Sequence, residues 1–238
     1  MRHVDINADL GEGCGNDDAL LDLVTSANVA CGAHAGDEAT MRAVVRAALA
    51  RGVAIGAHPS FPDRENFGRA PMARSSYEIS ADVREQIGRL DAIARAEGAA
   101  LRHVKPHGAL YNLAARDRGV ADAISRAVAQ YDPALAVVGL AGGRQIDSAR
   151  ALGLRAIAEV FADRGYAADG SLLPRGTAGA LLEDPGRVAA QALALVERGA
   201  GETICLHGDG PRAVEFARAV RDALREAGVD VRSVGVRR

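Results

Sequence analysis

Short apolar segments rich in β-branched residues alternate along the chain with longer segments in which apolar residues recur at helical spacing. Each short segment ends in a polar or glycine-rich cluster, a pattern typical of the strands in repeated βα units. The predicted strands are HVDINADLGE (3–12), ANVACGAHAG (27–36), GVAIGAHPS (52–60), LRHVKPHGA (101–109), ALAVVGLAGG (134–143), LRAIAEVFADRG (154–165) and ETICLHGDGP (202–211). The segment VDVRSVGV (229–236) is a candidate for one more.

The segments between the predicted strands indicate crossover helices. DEATMRAVVRAALARG (37–52) and PRAVEFARAVRDALREAG (211–228) place apolar residues at helical spacing, begin with Asp or Pro, and stop at Gly. Even spacing of the βα units without a break in composition predicts one domain over residues 1–238. It favours a closed or nearly closed parallel barrel. An open, doubly wound α/β sheet is the alternative that spacing alone leaves open.

Polar side chains stand at the ends of nearly all predicted strands. In a parallel barrel, catalytic groups gather at the C-terminal ends of the strands, whichever strand they come from. Residues in such positions are Asn7, Asp9, Glu12, His34, His58, Lys105, His107, Glu159, Asp163, Arg164, His207 and Asp209. We therefore expect a catalytic site at one mouth of the barrel, with histidines converging from four strands.

Lys105 stands out because it is the only lysine in a chain that carries 28 arginines. An ammonium is a compact, titratable charge and a guanidinium is a planar fork that stays protonated, so the two are not interchangeable. Pro106 argues against a helix here, and in an extended strand His103, Lys105 and His107 share one face. We expect Lys105 and His107 nearest the mouth, with His103 deeper as a hydrogen-bonded core imidazole.

The global composition narrows the class of protein. With 238 residues, 48% of them hydrophobic, the chain is long enough for one α/β barrel with a substantial core. A formal net charge of -2 argues against a nucleic-acid-binding surface, and no apolar run resembles a signal peptide or a membrane span. Cys14, Cys31 and Cys205 are scattered and form no CxxC pair. These features predict a cytoplasmic protein that binds neither nucleic acid nor membrane.

Two loop segments carry weaker signals. GEGCG (11–15) has the glycines of a phosphate-binding loop, but it contains a glutamate and lacks the lysine, so it predicts no nucleotide site. FPDRENFGR (61–69) predicts a loop near the mouth, where Arg64 or Arg69 would meet a substrate carboxylate. An ordinary solvated loop explains the same segment equally well.

Cys31 and Cys205 lie within predicted strands, as small core residues do.

Six segments together resemble the signature blocks of a known family. They are DINADLGEG (5–13), SANVACGAHAGD (26–37), GAHPSFPDRENFGR (56–69), HVKPHGALYN (103–112), EVFADRGYAADGSL (159–172) and CLHGDGP (205–211). In this order, over nearly the whole chain, they identify it as a member of the LamB/YcsF family, the A subunit of the bacterial ATP-dependent 5-oxoprolinase. The chain departs from the family pattern at Cys14, where an aromatic residue is usual, and at NFGRA (66–70), where GFGRR is commoner.

The resemblance implies a distorted, TIM-barrel-like parallel (β/α)7 barrel and an enzyme that opens 5-oxo-L-proline to L-glutamate while ATP is hydrolysed. It also implies two partner subunits, B and C. The expected cosubstrate is ATP with Mg²⁺, engaged through or together with the partners, and no tightly bound organic cofactor is expected. Because the chain shows no ATP-binding motif, we expect activation of the lactam on a partner and ring opening in the barrel.

Hydrolysis of an activated lactam needs a base for water, a proton for the leaving nitrogen, and positive charge near the developing oxyanion or phosphate. Lys105 suits the last role. The other roles are each left open between two residues: Asp9 or Glu12 to activate water, His107 or His207 to carry the proton, and Asp163 or Asp209 to orient an imidazole. The remaining candidates are His34, His58 and Glu159 for catalysis, and Asn7, Arg64, Arg69 and Arg164 for substrate binding.

Two other functions fit the same residues. Asp9, His34 and His58 end three successive strands and would suit a metal site, as in a barrel-type metal-dependent deacetylase or amidohydrolase. The sequence leaves the presence of a metal undecided. The third alternative is a non-catalytic subunit that only holds 5-oxoproline, but the predicted mouth carries more titratable groups than a binding site needs.

Overall fold

Strands and helices succeed one another along the part of the chain that the computed structural model describes, residues 2–207, 210 and 212–233. The strands are β1 (His3–Leu10), β2 (Ser26–Ala30), β3 (Ala54–His58), β4 (Leu101–Val104), β5 (Ala136–Leu140), β6 (Ala156–Phe161), β7 (Thr203–Leu206) and β8 (Asp230–Val231). The helices are α1 (Asp17–Leu21), α2 (Glu38–Arg51), α3 (Ser76–Ala96), α4 (Gly108–Arg116), α5 (Arg118–Tyr131), α6 (Arg144–Ala151), α7 (Pro185–Glu197) and α8 (Ala213–Glu226). None of the helices in this described part combines the length and apolarity required to cross a membrane.

Seven of these strands form a closed parallel barrel. The order of neighbours is β2-β3-β4-β5-β6-β7-β1, and β1 also pairs with β2, which closes the ring. The short β8 pairs in parallel with the start of β1, where His3 faces Asp230. The predicted TIM-barrel-like (β/α)7 fold is therefore confirmed, and the alternative of an open sheet is wrong. All eight predicted strands overlap observed ones.

Helix boundaries follow local capping signals. Asp37 precedes α2 and accepts a hydrogen bond from the Thr40 amide at 2.8 Å, and Gly52 ends the helix with a left-handed φ of 68°. A capping box precedes α3, in which Ser75 and Glu78 each accept from the backbone amide of the other. These bonds satisfy groups that the ends of a helix leave without partners. The crossovers therefore begin and end where the local sequence directs.

The apolar core lies between the barrel and the surrounding helices. Along β1, Ile6 and Ala8 belong to this core. The residues that alternate with them, Asp5, Asn7 and Asp9, are buried on the opposite face of the strand, inside the barrel. Successive side chains of a strand point to opposite faces, so both faces of β1 are buried, and the inner one is polar.

Much of the barrel interior is polar, with a small apolar cluster of Ala136, Val138 and Ile157, whereas most barrels of this type are filled by layers of Val, Ile and Leu. Asp5 accepts hydrogen bonds from Ser26 at 2.8 Å and from Thr203 at 2.6 Å. Asn7 donates to Thr203 at 2.7 Å and accepts from Asn28 at 2.7 Å. Because buried polar groups are costly unless they are hydrogen-bonded, this network stabilises the interior and fixes the orientation of its side chains.

His103 belongs to this network, as the prediction of a core imidazole required. Its Nε2 donates to Asn28 Oδ1 at 2.8 Å. Burial, with the nearby charges of Lys105 and His58, lowers the pKa of His103 to about 3, so the ring is neutral. The imidazole lies against Gly56 of β3, where an added Cβ would be 2.2 Å from Nε2. Only glycine at that position leaves room for the ring.

Candidate functional site

A cavity of about 810 Å³ opens at the C-terminal mouth of the barrel. Strand ends contribute charged and aromatic groups to its lining: Asp9, His58, Lys105, His107, Phe161 and His207. The remaining lining comes from Glu12, from the loops after β3 and β4, from α4, from the end of β5 with the loop after it, and from the loop after β6. The structure thus brings most of the polar strand ends together at one mouth.

Lys105 is the centre of the ion cluster, which we define as Asn7, Asp9, Lys105, Glu159 and Cys205. Its Nζ lies 2.9 Å from Asp9 Oδ1 and 2.9 Å from Glu159 Oε1. Asn7 Oδ1 at 3.2 Å and Cys205 Sγ at 3.0 Å complete its surroundings. Since an ammonium has three N–H groups, these four neighbours satisfy it fully within the protein.

The charges of the ion cluster stabilise one another against burial. Burial alone would lower the pKa of Lys105, but Asp9 and its neighbours in the cluster raise it well above its usual value. Burial likewise opposes ionisation of Asp9, yet His58 and Lys105 hold the pKa of that carboxyl well below its usual range. Burial raises the pKa of the Cys205 thiol well above its usual value despite the adjacent ammonium. Lys105 and Asp9 are therefore an ion pair beside a neutral thiol.

Four further residues form the histidine cluster: Glu12, His34, His58 and His107. Glu12 Oε1 lies 3.0 Å from His34 Nε2 and 3.3 Å from His107 Nδ1. His58 Nε2 is 3.8 Å from the same oxygen and 3.0 Å from His107 Nδ1. The rings of His34 and His107 are stacked, with centroids 3.9 Å apart. One ligand atom from each residue thus faces a common point, and all four atoms lie within 4.8 Å of one another.

Backbone carbonyl groups orient two of these rings. His58 Nδ1 donates to the Lys105 carbonyl at 2.7 Å, and His107 Nε2 donates to the Phe67 carbonyl at 2.9 Å. Phe67 has a positive φ of 56°, which is uncommon for a residue with a side chain. At Gly68, with φ 65°, an added Cβ would be only 2.1 Å from the nearest side chain. A tightly packed, left-handed turn therefore delivers the carbonyl that holds His107.

The pKa values of the three imidazoles are shifted in different directions. Burial lowers the pKa of His34, and burial together with His58 and His34 lowers the pKa of His107 well below its usual range. Burial would also lower the pKa of His58, but Asp9 raises it. Asp9 Oδ2 lies 3.4 Å from His58 Nε2, so His58 connects the histidine cluster to the ion cluster.

His207 and Asp163 form a separate acid-base pair at the cavity. His207 Nδ1 lies 2.8 Å from Asp163 Oδ2, and the His207 amide donates to the same carboxylate at 3.1 Å. Burial would raise the pKa of Asp163, but His207 lowers it. The imidazole also stacks on Phe161, with centroids 5.4 Å apart. With Nδ1 committed to Asp163, the opposite nitrogen, Nε2, is left for a ligand in the cavity.

Only some of the arginines that were predicted to bind the substrate line the cavity. Arg69 and Arg164 line the cavity, and so does Arg175, which carried no signal in the sequence. Arg164 also donates to two carbonyl groups of the loop after β6, at 3.1 and 2.6 Å, and so fastens that loop. Arg64 is not among the cavity-lining residues, since its guanidinium donates to two carbonyl groups of the loop after β2, at 3.2 and 2.9 Å.

Other predicted site residues are not among the residues that line the cavity. Asn7 and Glu159 are buried in the ion cluster, where Asn7 Nδ2 donates to Glu159 Oε1 at 2.9 Å. His34 is buried on the far side of Glu12. Asp209 lies outside the described residues.

The residues that could form the alternative metal site differ from those predicted from the sequence. The carboxylate that converges with His34 and His58 is Glu12, and His107 adds a third imidazole. Asp9, which the sequence pattern grouped with them, is held by Lys105 instead.

Three residues of the site were not recognised from the sequence. Cys205 is the small core residue that was expected, but its Sγ also contacts Lys105 Nζ at 3.0 Å. The rings of Tyr111 and Phe161 flank the same ammonium, with centroids 6.0 and 5.6 Å from Nζ. Burial and the neighbouring Glu159 raise the pKa of Tyr111 well above its usual value. Strand alternation was a usable signal for Cys205 and Phe161, but nothing in the sequence indicates that Tyr111 of α4 reaches this point.

Comparisons with known proteins agree on family and fold. A sequence model of the LamB/YcsF family matches residues 4–237. The structure is similar to that of a lactam utilization protein from Thermus thermophilus, with 46% sequence identity and a TM-score of 0.90, over 98% of this chain and 99% of that chain. A polysaccharide deacetylase from Bacillus cereus, at 13% identity and a TM-score of 0.55, matches over 98% of this chain and 92% of its own. A family 4 carbohydrate esterase from Streptomyces lividans, at 14% identity and a TM-score of 0.51, matches over 97% and 91%. These last two likenesses show the fold alone.

Proposed function

Because the chain belongs to the LamB/YcsF family, we propose that it opens 5-oxo-L-proline to L-glutamate as the A subunit of an ATP-dependent 5-oxoprolinase. We expect it to act in the cytoplasm with partner subunits B and C. The similar Thermus protein is a lactam utilization protein, and 5-oxoproline is a five-membered lactam. The main support from the structure is the cavity of about 810 Å³, where acidic, basic and cationic side chains surround space for a small polar substrate.

The chemistry explains why ATP would be needed. A lactam is a resonance-stabilised amide that water attacks slowly, and glutamate tends to close the ring again. Phosphorylation of the lactam oxygen makes the ring carbon a better electrophile. Attack by water on that carbon forms a C–O bond, the ring C–N bond breaks, and the leaving nitrogen takes a proton, which leaves an acyl phosphate. A second water molecule then hydrolyses the acyl phosphate to glutamate and inorganic phosphate. The chain must therefore supply a base, an acid and positive charge.

His207 is the better candidate for the acid. Both ring nitrogens of His107 are engaged, one with His58 and the other with the Phe67 carbonyl. His207 uses only Nδ1, which Asp163 holds at 2.8 Å, and its ring lines the cavity. We assign His207 to protonation of the ring nitrogen, with Asp163 as the residue that positions the imidazole.

Asp9 is the better candidate for the base. It lines the cavity, and Lys105 and Asn28 both hold Oδ1 at 2.9 Å. Glu12 is instead surrounded by imidazoles in the histidine cluster. The lowered pKa of Asp9 keeps it ionised but makes it a weak base. A weak base suffices only for an activated substrate, which agrees with phosphorylation before ring opening.

The role of Lys105 changes once its partners are known. Its ammonium compensates two buried carboxylates and has no N–H group to spare for a substrate. Arg69, Arg164 and Arg175 line the cavity and offer positive charge there. Guanidinium groups match the geometry of carboxylates and phosphates, so we propose that these arginines bind the substrate carboxylate and the transferred phosphate.

We propose that ATP and Mg²⁺ engage a partner subunit, or this subunit only together with a partner. The glycine-rich loop 11–15 does not suit a phosphate, because Asp17 already accepts from the Gly11 amide at 3.1 Å. A carboxylate at that amide repels an anion.

The deciding experiment is an assay of 5-oxoproline-dependent ATP hydrolysis and glutamate release, with the chain alone and with candidate B and C subunits. We expect negligible turnover from the chain alone and robust coupled turnover from the mixture. Full activity of the isolated chain would refute the division of labour, and no turnover in any combination would refute the activity.

A further inference from the structure

The proposed reaction uses Asp9, His207 and Asp163 and leaves the histidine cluster without a role. Glu12, His58 and His107 of this cluster nevertheless line the cavity, and His34 is buried directly behind them. Buried polar atoms are normally paired with a donor or an acceptor of the opposite kind. The pairing within this cluster does not follow that rule.

The two carbonyl groups that hold the rings decide which nitrogens carry protons. A carbonyl oxygen only accepts, so His58 Nδ1 and His107 Nε2 must both be N–H donors. In a neutral imidazole, the other nitrogen then carries a lone pair. His58 Nε2 and His107 Nδ1 are those other nitrogens, and they face each other at 3.0 Å. Two lone pairs at this distance repel unless a cation lies between them.

Glu12 adds another acceptor at the same point, and His34 faces it. Glu12 Oε1 is 3.3 Å from His107 Nδ1 and 3.8 Å from His58 Nε2, and a carboxylate is an acceptor only. His34 Nε2 lies 3.0 Å from the same oxygen. The opposite nitrogen, His34 Nδ1, is buried and has no hydrogen-bond partner. No acceptor therefore requires a proton on Nδ1.

The separations match those expected around a metal ion. Four ligands about 2.0–2.1 Å from a tetrahedral zinc ion are about 3.3 Å from one another. Four of the six separations in the cluster, those of Glu12 from the three rings and that of His58 from His107, run from 3.0 to 3.8 Å, and all six are within 4.8 Å. Three imidazoles and one carboxylate are ligands that suit Zn²⁺ and related divalent transition metals. We propose that the histidine cluster binds one divalent transition metal ion, with Zn²⁺ as the best fit to its geometry.

The surroundings of the cluster have the features of a built metal site. Histidine ligands usually donate their second nitrogen to a carbonyl or carboxylate, as His58 and His107 do here. The left-handed turn at Phe67 and Gly68 supplies one of these carbonyls. A metal ion at this point would lie in the wall of the cavity, where it can polarise a carbonyl oxygen or a water molecule. The inference goes beyond the proposed lactam activity and does not rest on it.

A proton is the competing cation. If His58 were doubly protonated, Nε2–H would donate to His107 Nδ1 and to the carboxylates of Glu12 and Asp9, and no metal would be needed. The two cases differ in a property that can be measured without substrate, since only one of them requires stoichiometric metal.

The test is a Zn²⁺ titration of the full chain after removal of metal with a chelator, in competition with a chromophoric chelator of known affinity. We expect one tight site per chain. His107→Gln should weaken it by about 100-fold or more, because one of four ligands is lost. His3→Gln is the matched control, since it removes an exposed histidine at the opposite end of β1 from the cluster, and it should bind like the wild type. Circular dichroism checks that both variants fold.

A second measurement decides the matter if His107→Gln fails to fold. Wild-type chain loaded with Co²⁺ should show the intense visible absorption bands of a tetrahedral site, and added Zn²⁺ should remove them. The proposal is wrong if the wild type binds less than one equivalent of either ion under these conditions, or if a folded His107→Gln binds Zn²⁺ as tightly as the wild type. Either result would favour the shared proton. Glutamate release plays no part in these measurements, so failure of the proposed 5-oxoprolinase activity would leave them unaffected.

Discussion

The ion cluster and the histidine cluster lie side by side at one mouth of the barrel, joined where His58 Nε2 approaches Asp9 Oδ2 at 3.4 Å. In the ion cluster, one ammonium supplies all its N–H groups to the acceptors around it. In the histidine cluster, two tautomers fixed by carbonyl groups turn their lone pairs toward each other and toward Glu12. The first arrangement satisfies its ammonium without a ligand, so it stabilises the protein and also holds Asp9, the proposed base. The second requires a cation, which is why we expect it to bind one.

Replacement of Lys105 tests the first half of this comparison and should have the largest effect. Lys105→Met leaves Asp9 and Glu159 buried without their counterion, and removing one partner of a buried ion pair typically costs about 3–5 kcal/mol. Urea unfolding measures the loss. Arg102→Met is the matched control, because it removes an exposed cation from β4, and it should change the free energy of unfolding by less than about 0.5 kcal/mol. Wild-type stability of Lys105→Met would show that the ammonium does not hold the ion cluster together.

Replacement of His207 tests whether catalysis depends on a group outside both clusters. In the reconstituted complex, His207→Gln should lower the rate of glutamate release by about 100-fold or more, as expected for loss of a general acid. The same variant should keep the wild-type affinity for Zn²⁺, because His207 is not in the histidine cluster. A variant that loses metal affinity together with activity would contradict this separation of roles. His3→Gln should retain full activity.

Replacement of Glu159 tests whether the ion cluster needs its second carboxylate. Its effect on the free energy of unfolding should be smaller than that of Lys105→Met. Glu159→Gln keeps an oxygen that can accept from Lys105 and leaves the buried Lys105–Asp9 pair electrically neutral. We expect a loss of about 1 kcal/mol, the usual contribution of one hydrogen bond. A loss as large as that of Lys105→Met in the same urea experiment would mean that the second carboxylate is as necessary as the ammonium.

Cysteine alkylation probes whether the ion cluster is closed to solvent, and it should leave stability almost unchanged. Cys14 is exposed, whereas Cys205 and Cys31 are buried. Burial raises the pKa of Cys31 to about 12 and raises that of Cys205 as well, so neither thiol forms the reactive thiolate at neutral pH. Mass spectrometry of the native protein treated with iodoacetamide should find one adduct, on Cys14. Rapid labelling of Cys205 in the folded chain would indicate an open cluster.

Local sequence patterns were sufficient to locate the strands and helices, whereas the (β/α)7 barrel was implied by the family resemblance. Short apolar segments located the seven barrel strands, since most of their residues are buried and their pattern differs from helical periodicity. Asp37 and Gly52 marked the ends of α2 through capping interactions that involve only neighbouring residues. The same alternation correctly placed His103 and Lys105 on the inner face of the barrel, although it did not reveal that the ammonium there is fully enclosed.

The sequence by itself determined the barrel, its family and the end of the barrel at which polar groups gather, because these depend on periodicity and on short-range signals. Only the tertiary structure decided which of those groups meet. Glu12 rather than Asp9 joins His34 and His58, because closure of the ring and the register between strands set distances across the mouth that spacing along the chain does not contain. The tautomer of His107 depends likewise on the Phe67 carbonyl. This is a backbone group, and the pattern of side chains along the sequence does not predict its position.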